Sequence, residues 1–470
     1  MAHIQDEFGL PEGIENPLPQ TNACRQNAGG MNSLDERALM SRVSWRLIPI
    51  LFFCYIIAYI DRINVGFAKL HLQQALGVDE KVFGSVYGIG AGLFFIGYFL
   101  FEVPSNLILH RVGARLWIAR IMIVWGAVSM AMMFINSKTV FYVMRFLLGA
   151  AEAGFFPGII LYFTYWYPAR ERAKTIALFT IGGVVAGVVG SPVSGTILSL
   201  DGWLGLAGWK WLFLLEGIPA VLMGFVVLLA LPDRPQQARW LSEDEKKAIQ
   251  CRIDADAALA VERPKHKLSE AFLSGRVWLF CLMYFLLNVG GYGYELWLPS
   301  IIKSFSGLTD AQVGFINAIP YAIAAFCMFY AGRHSDRTGE RRWHVAAGAF
   351  ASAIGFVLSA HLGNPYFAMA ALVLAFAGLK ATLGPFWALG TAFLSGTAAA
   401  GGIALINSVG NLGGFVGPTL VGVIKDKTGS SQMALLALGG ALFVMGLLAL
   451  TIRPKQAGKS NVGVAATAGH

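Results

Sequence analysis

Charge is what this sequence has least of. Only 13% of its 470 residues are Asp, Glu, Lys or Arg, while 56% are apolar and the mean hydropathy is +0.60. A soluble domain carries about 25% charged residues. Half that amount cannot cover a soluble surface of this size, which excludes an ordinary soluble enzyme and a disordered chain. Cysteine is also scarce. Cys24, Cys54, Cys251, Cys281 and Cys327 are scattered without metal or disulfide spacing, so five inert thiols are expected and no metal site. The first 44 residues contain no apolar stretch of the signal-peptide kind, so no cleavable leader is expected there. No Walker sequence is present. The Gly88-x-Gly90-x-Gly92 run lies inside an apolar stretch rather than in a strand–turn–helix setting, so it is no nucleotide loop. The apolar runs hold no His/Asp constellation for catalysis, so no enzyme is expected.

What is present is a set of long apolar runs. Crossing a bilayer as a helix takes about 20 such residues, and twelve runs qualify: 45–68, 83–107, 114–135, 139–163, 173–199, 209–231, 277–302, 311–332, 343–361, 365–394, 398–424 and 431–452. The expected class is an all-α membrane protein. Its parts are an N-terminal tail (1–44), a six-helix bundle (45–231), a polar linker (232–276), a second six-helix bundle (277–452) and a C-terminal tail (453–470). Within the linker, Ser242 with Glu245 three residues later forms a capping-box pattern and predicts a surface helix.

Lys and Arg set the topology. With the N-terminus inside, 25 of the 36 fall on inner segments and 7 on outer loops (Lys69, Lys81, Lys138, Lys210, Lys303, Lys425 and Lys427). That asymmetry places both termini in the cytoplasm. It also accounts for the net charge of +9 without a nucleic-acid partner. The bilayer is the expected environment and a monomer the expected state.

A few ionisable groups remain inside the runs, where each costs about 2.5–3.5 kcal/mol on insertion scales unless it faces a cavity or a partner. In the first run, Tyr55, Tyr59 and Arg62 share one helix face, and Asp61 lies one residue round from it. In the fourth, Arg145 and Glu152 are two turns apart on one face. Two acids and two bases would make a neutral cluster, tolerable when complete and costly when half broken. Arg forks suit carboxylates. Burial disfavours a carboxylate's charged form, which is what lets such a group exchange a proton. An anion carried with protons is therefore the expected cargo. In the seventh run, Asn288, Tyr292 and Glu295 repeat the first run's spacing, with Glu295 open between a cavity role and an outer-gate role. Lys380, in the tenth run, reads either as a countercharge for a second substrate carboxylate or as a vestibule residue. Trp387 can stack on a ring or sugar face. Asn407 and Asn411, one turn apart, read as recognition or helix-packing amides. Glu102 reads as a gate or interface group and Glu216 as structural.

The loop Gly332-Arg-His-Ser-Asp336-Arg337-Thr-Gly339-Glu-Arg341-Arg342, a degraded copy at 105–115, and the Gly-Pro pattern of the fifth run (Gly187 to Gly195) resemble the major facilitator superfamily. Asp61-Arg62-x-Asn64 and Arg145-x₆-Glu152-Ala-Gly-x-x-Pro157 are similar to the anion:cation symporter family, closest to bacterial tartrate, phthalate and 4-hydroxyphenylacetate permeases. The resemblance implies two pseudo-symmetric six-helix bundles in a bacterial inner membrane and proton-coupled uptake of a small organic acid anion by alternating access. It implies no cofactor beyond the coupling protons. Arg62 would grip the substrate carboxylate with Tyr59; Arg145 and, from the residue readings above rather than from the resemblance, Tyr292, Lys380, Trp387, Asn407 and Asn411 complete the set of candidate substrate-binding residues. Asp61, pairing with Arg145 when ionised, and Glu152 would carry protons. Asp336, Arg337, Arg341 and Arg342 would gate. Lys380 departs from the family pattern, where that part of the tenth span is usually apolar. An organophosphate or organic anion exchanger without net proton coupling and a non-transporting membrane sensor are the alternatives. The absence of Arg or Lys from the seventh run before Lys303 counts against the phosphate exchanger.

Overall fold

The computed structural model describes residues 33–261, 273–304, 307–393 and 396–452. Twelve helical spans among them are long and apolar enough to cross a membrane. Both tails before 33 and after 452, and linker residues 262–272, lie outside the described residues.

The first span is a single helix, Ser33–Leu76, starting ahead of residue 45 and ending beyond 68. Its buried stripe, Leu39, Val43, Leu47, Leu51, Cys54 and Ala58, repeats every three to four residues and faces the bundle. This length corrects the placement of Lys69. It is not a loop residue but a buried one, 7% exposed. Three spans are interrupted. The fourth breaks between Lys138–Glu152 and Phe155–Trp166, where Gly154 takes a left-handed φ of 86°. A Cβ there would also collide with Ser105, so only glycine suits. The seventh breaks between Gly275–Glu295 and Leu298–Lys303, and the eleventh between Gly396–Asn411 and Gly413–Thr428.

Spans pack mainly within their own half: the third on the sixth, and the ninth on the tenth and twelfth. Besides a smaller contact of the first span with Leu298–Lys303, two pairs cross extensively between the halves, the second span with the eleventh and the fifth with the eighth. Both crossings are antiparallel and carry small residues at one-turn intervals. Gly84, Gly88 and Gly92 meet Gly422, Pro418 and Phe415, while Gly187, Ser191 and Gly195 meet Tyr321, Asn317 and Gly314. A Cβ at Gly195 would sit 2.5 Å from the Asp310 carbonyl oxygen. Small side chains let these backbones touch where lipid offers no hydrophobic drive.

In the linker, Glu243–Val261 is helical. The Ser242 amide donates to Glu245 Oε2 at 2.9 Å and the Glu245 amide to Ser242 Oγ at 3.3 Å, the reciprocal box read from sequence. Cys54, Cys281 and Cys327 are free thiols. Cys251 is in a disulfide, which overturns the expectation of five inert thiols, because spacing in sequence does not register proximity created by folding.

Candidate functional site

The first span brings Tyr59 and Arg62 to the plane between the halves, and the seventh brings Tyr292 and Glu295 to meet them. Glu152 accepts an ion pair from Arg62 Nη2, and Arg62 Nη1 donates to the Tyr292 hydroxyl at 3.3 Å. The Arg62 side chain is 14% exposed and that of Glu152 fully buried. In the second half, Lys380 Nζ pairs with Glu295 Oε1 at 2.8 Å. Tyr59 joins the two by donating to Glu295 Oε1 at 2.7 Å and accepting from Lys380 Nζ at 3.1 Å. Each half therefore supplies one ion pair and one tyrosine that reaches the other half's pair.

Asp61 and Arg145 are buried but not paired, which corrects the expected contact. Asp61 Oδ1 accepts from Ser129 Oγ of the third span and from Asn64 Nδ2 at 3.2 Å. Arg145 Nη2 donates to the Ala91 carbonyl at 3.1 Å. Its guanidinium lies 5.1 Å from the Phe94 ring centre, and that of Arg62 lies 5.3 Å from the same ring. The face of the Phe94 ring attracts both guanidinium groups electrostatically, and for Arg145 it stands where a carboxylate was expected. The physical reason is helix rotation: Asp61 lies about 100° from Arg62, which turns it toward the third span rather than the fourth.

Two further expectations change. Lys380 is not an unpaired countercharge, because Glu295 neutralises it. Asn407 Nδ2 donates to Glu102 Oε1 at 3.0 Å, and Ser408 Oγ donates to Glu102 Oε2 at 2.9 Å. Asn407 is thus committed to a contact between halves on the side of the termini. Asn411 ends the first segment of the eleventh span and is half-buried. Trp387 packs edge-on against Tyr284, ring centres 5.0 Å apart. Glu216 is buried and accepts from Ser194 Oγ at 2.6 Å, a packing role.

The end opposite the termini is sealed. Asp426 accepts from the backbone amides of Gly84 at 2.9 Å and Ser85 at 2.6 Å. Asp310 binds His71 at 2.8 Å and Lys303 at 2.9 Å. Lys69 Nζ donates to Ser300 Oγ at 2.8 Å and sits 3.9 Å from the Trp297 ring centre. Toward the termini, Glu102 with Asn407 and Ser408 forms a hydrogen-bonded bridge between the halves.

The family model for the Major Facilitator Superfamily matches residues 51–418. The chain belongs to that superfamily. It is 48% identical over 436 residues to a protein named "Putative tartrate transporter" from Agrobacterium vitis, covering 91% of this chain and 98% of the relative. It is 45% identical over 422 residues to a protein named "Putative metabolite transport protein NicT" from Pseudomonas putida, covering 89% of this chain and 95% of the relative. A solved bacterial homolog of the human lysosomal transporter Spinster superposes with a TM-score of 0.70 at 18% identity, over 86% of this chain and 96% of that one, which establishes the fold. The chain is accordingly a membrane-spanning transporter and not an enzyme.

The superfamily loop does not latch the two halves together here. Arg341 Nη2 lies 3.4 Å from Asp336 Oδ1 within the same loop, and Arg342 Nη1 donates to the Ile452 carbonyl at 3.4 Å. Arg337 is exposed. Glu295, Glu102, Lys69 and Asp426 are the residues that sequence reasoning under-weighted. The repeated i, i+4, i+7 spacing of Asn288, Tyr292 and Glu295 was the available signal for the first.

Proposed function

We propose that the protein is a proton-coupled symporter that takes up a small organic acid anion of the tartrate, phthalate, hydroxyphenylacetate or sugar-acid type. The observation that carries this reading is the buried Arg62–Glu152 pair, held against Tyr292 of the other half. A guanidinium bound to a carboxylate at the plane where the halves meet is a carboxylate site with an internal occupant. When Glu152 takes a proton it releases Arg62, whose fork can then accept the substrate carboxylate. Loading and protonation become one event, and unloading reverses both. Asp61, held by Ser129 and Asn64, is the second proton site in this reading.

Alternating access requires two gates. The contacts at Asp426, Asp310 and Lys69 close the outer one, and Glu102 with Asn407 and Ser408 is the thin inner one. Asp336, Arg337, Arg341 and Arg342 would join the inner gate when the molecule rocks to face outward. In this reading the membrane is a bacterial inner membrane, and the Lys/Arg asymmetry supports an orientation with both termini in the cytoplasm. The protein works as a monomer with protons as its coupling ion. Purified protein in liposomes is expected to accumulate a labelled organic acid faster under an inward proton gradient. Accumulation indifferent to the gradient would sink the symport reading.

A further inference from the structure

Lys380 and Glu295 form a second ion pair that the single-carboxylate reading does not use. Both are buried, at 8% and 3% exposure, although a lipid-facing or packing role would favour apolar residues there. Of the three donors on the ammonium, two go to Glu295 and Tyr59, and the group lies 4.9 Å from the Phe376 ring centre. Glu295 is faced by Tyr59 from the first span, Lys380 from the tenth and Tyr321 from the eighth, with Tyr292 one turn away on its own helix.

The two pairs stand in register. Tyr59 and Arg62 are three residues apart on the first span, as are Tyr292 and Glu295 on the seventh. Three residues advance a helix by about 4.5 Å. The three C–C bonds of a four-carbon diacid, each about 1.5 Å and meeting at tetrahedral angles, hold its carboxyl carbons at most about 4 Å apart, close to that backbone offset, so the diacid called for is short.

We propose that Lys380, with Tyr59, is a second carboxylate subsite whose resident occupant is Glu295, and that the substrate is a short dicarboxylate bridging Arg62 and Lys380. This rests on the symport reading above. Glu295 takes a proton from solvent, its ion pair with Lys380 breaks, and the second substrate carboxylate pairs with Lys380. Within the central cluster the acids Asp61, Glu152 and Glu295 balance Arg62, Arg145 and Lys380, while the buried Glu102 and Glu216 have hydrogen-bond partners outside it. A dianion entering with protons on Glu152 and Glu295 preserves that balance.

The test uses the full-length protein in detergent and two probes with the same four-carbon hydroxylated chain. L-tartrate has two carboxylates, and L-threonate replaces one with a hydroxymethyl group. Calorimetry in buffers of different ionisation enthalpy gives affinity and protons taken up per ligand. Tartrate is expected to bind about tenfold or more tighter than threonate, the scale of hydrogen bonds to a charged group. Lys380→Met is expected to erase that difference. Glu295→Gln, which keeps the shape and the Tyr59 contact, is expected to bind tartrate while taking up about one proton fewer, with threonate unchanged. The Lys380→Met/Glu295→Gln double variant removes both charges together and controls for a fold disturbed by one unpaired charge. Equal binding of the two ligands by the unmodified protein overturns the second subsite and leaves the Arg62 reading standing. Binding of neither ligand overturns both. An unchanged proton count in Glu295→Gln overturns the role of Glu295 as occupant.

Discussion

Glu152 binds Arg62 across a separation of 90 residues, joining the fourth span to the first, while Asp61 beside Arg62 turns away to Ser129. Neighbours in the chain thus have unrelated electrostatic partners. The acid that can free the substrate-binding guanidinium is the distant one.

Glu152→Gln keeps the size of the side chain and removes the titration. Gradient-driven accumulation in liposomes is expected to fall to background, while exchange of preloaded labelled substrate survives. Loss of both activities would make Glu152 a structural partner of Arg62 rather than a proton site.

Asp61→Asn can still accept from Ser129 but cannot ionise. We expect folded, monodisperse protein with steeply reduced proton-driven uptake. Ser129→Ala is expected to give a milder defect, because Asn64 still donates to Asp61. Full uptake in Asp61→Asn would confine proton coupling to other groups.

Asp426 caps two backbone amides of the second span from the opposite half. Hydrogen bonds to a charged group contribute about 1.5–3 kcal/mol, which is roughly 10- to 100-fold in a two-state balance. Asp426→Ala should therefore favour the form open at that end. Spin labels at Lys138 and Gln432, read by pulsed dipolar spectroscopy, should shift toward longer distances. An unaltered distribution would show that the small-residue crossings hold the gate alone.

Glu102→Ala removes both the Asn407 and the Ser408 contact at the other end. Access of a water-soluble thiol reagent to a cysteine placed at Ser408 from the cytoplasmic side is expected to rise. Unchanged labelling would exclude Glu102 as a gate residue.

Ser242→Ala breaks the linker's capping box and should cost about 1 kcal/mol of local helix stability. Faster hydrogen exchange over residues 243–246 with normal transport is the expected result. A transport defect would tie the linker helix to the rocking motion.

Sequence alone determined the twelve spans, because a run of about 20 apolar residues has no other stable setting than a bilayer or a protein core. It also determined the short list of buried charges, since each is costly unless it has a purpose. The capping box at Ser242 was legible because its two hydrogen bonds are local. Tertiary structure decided the partners. Helical periodicity fixes where a side chain points round its own axis but not how that axis is rotated against its neighbours. Arg145 therefore meets the Ala91 carbonyl instead of Asp61, Lys380 meets Glu295, and Asn407 is spent on Glu102. The sealed end was equally beyond one-dimensional reading. Gly84, Gly195, Gly314 and Gly422 are small in any arrangement, and only packing of the two halves shows which backbones they bring together.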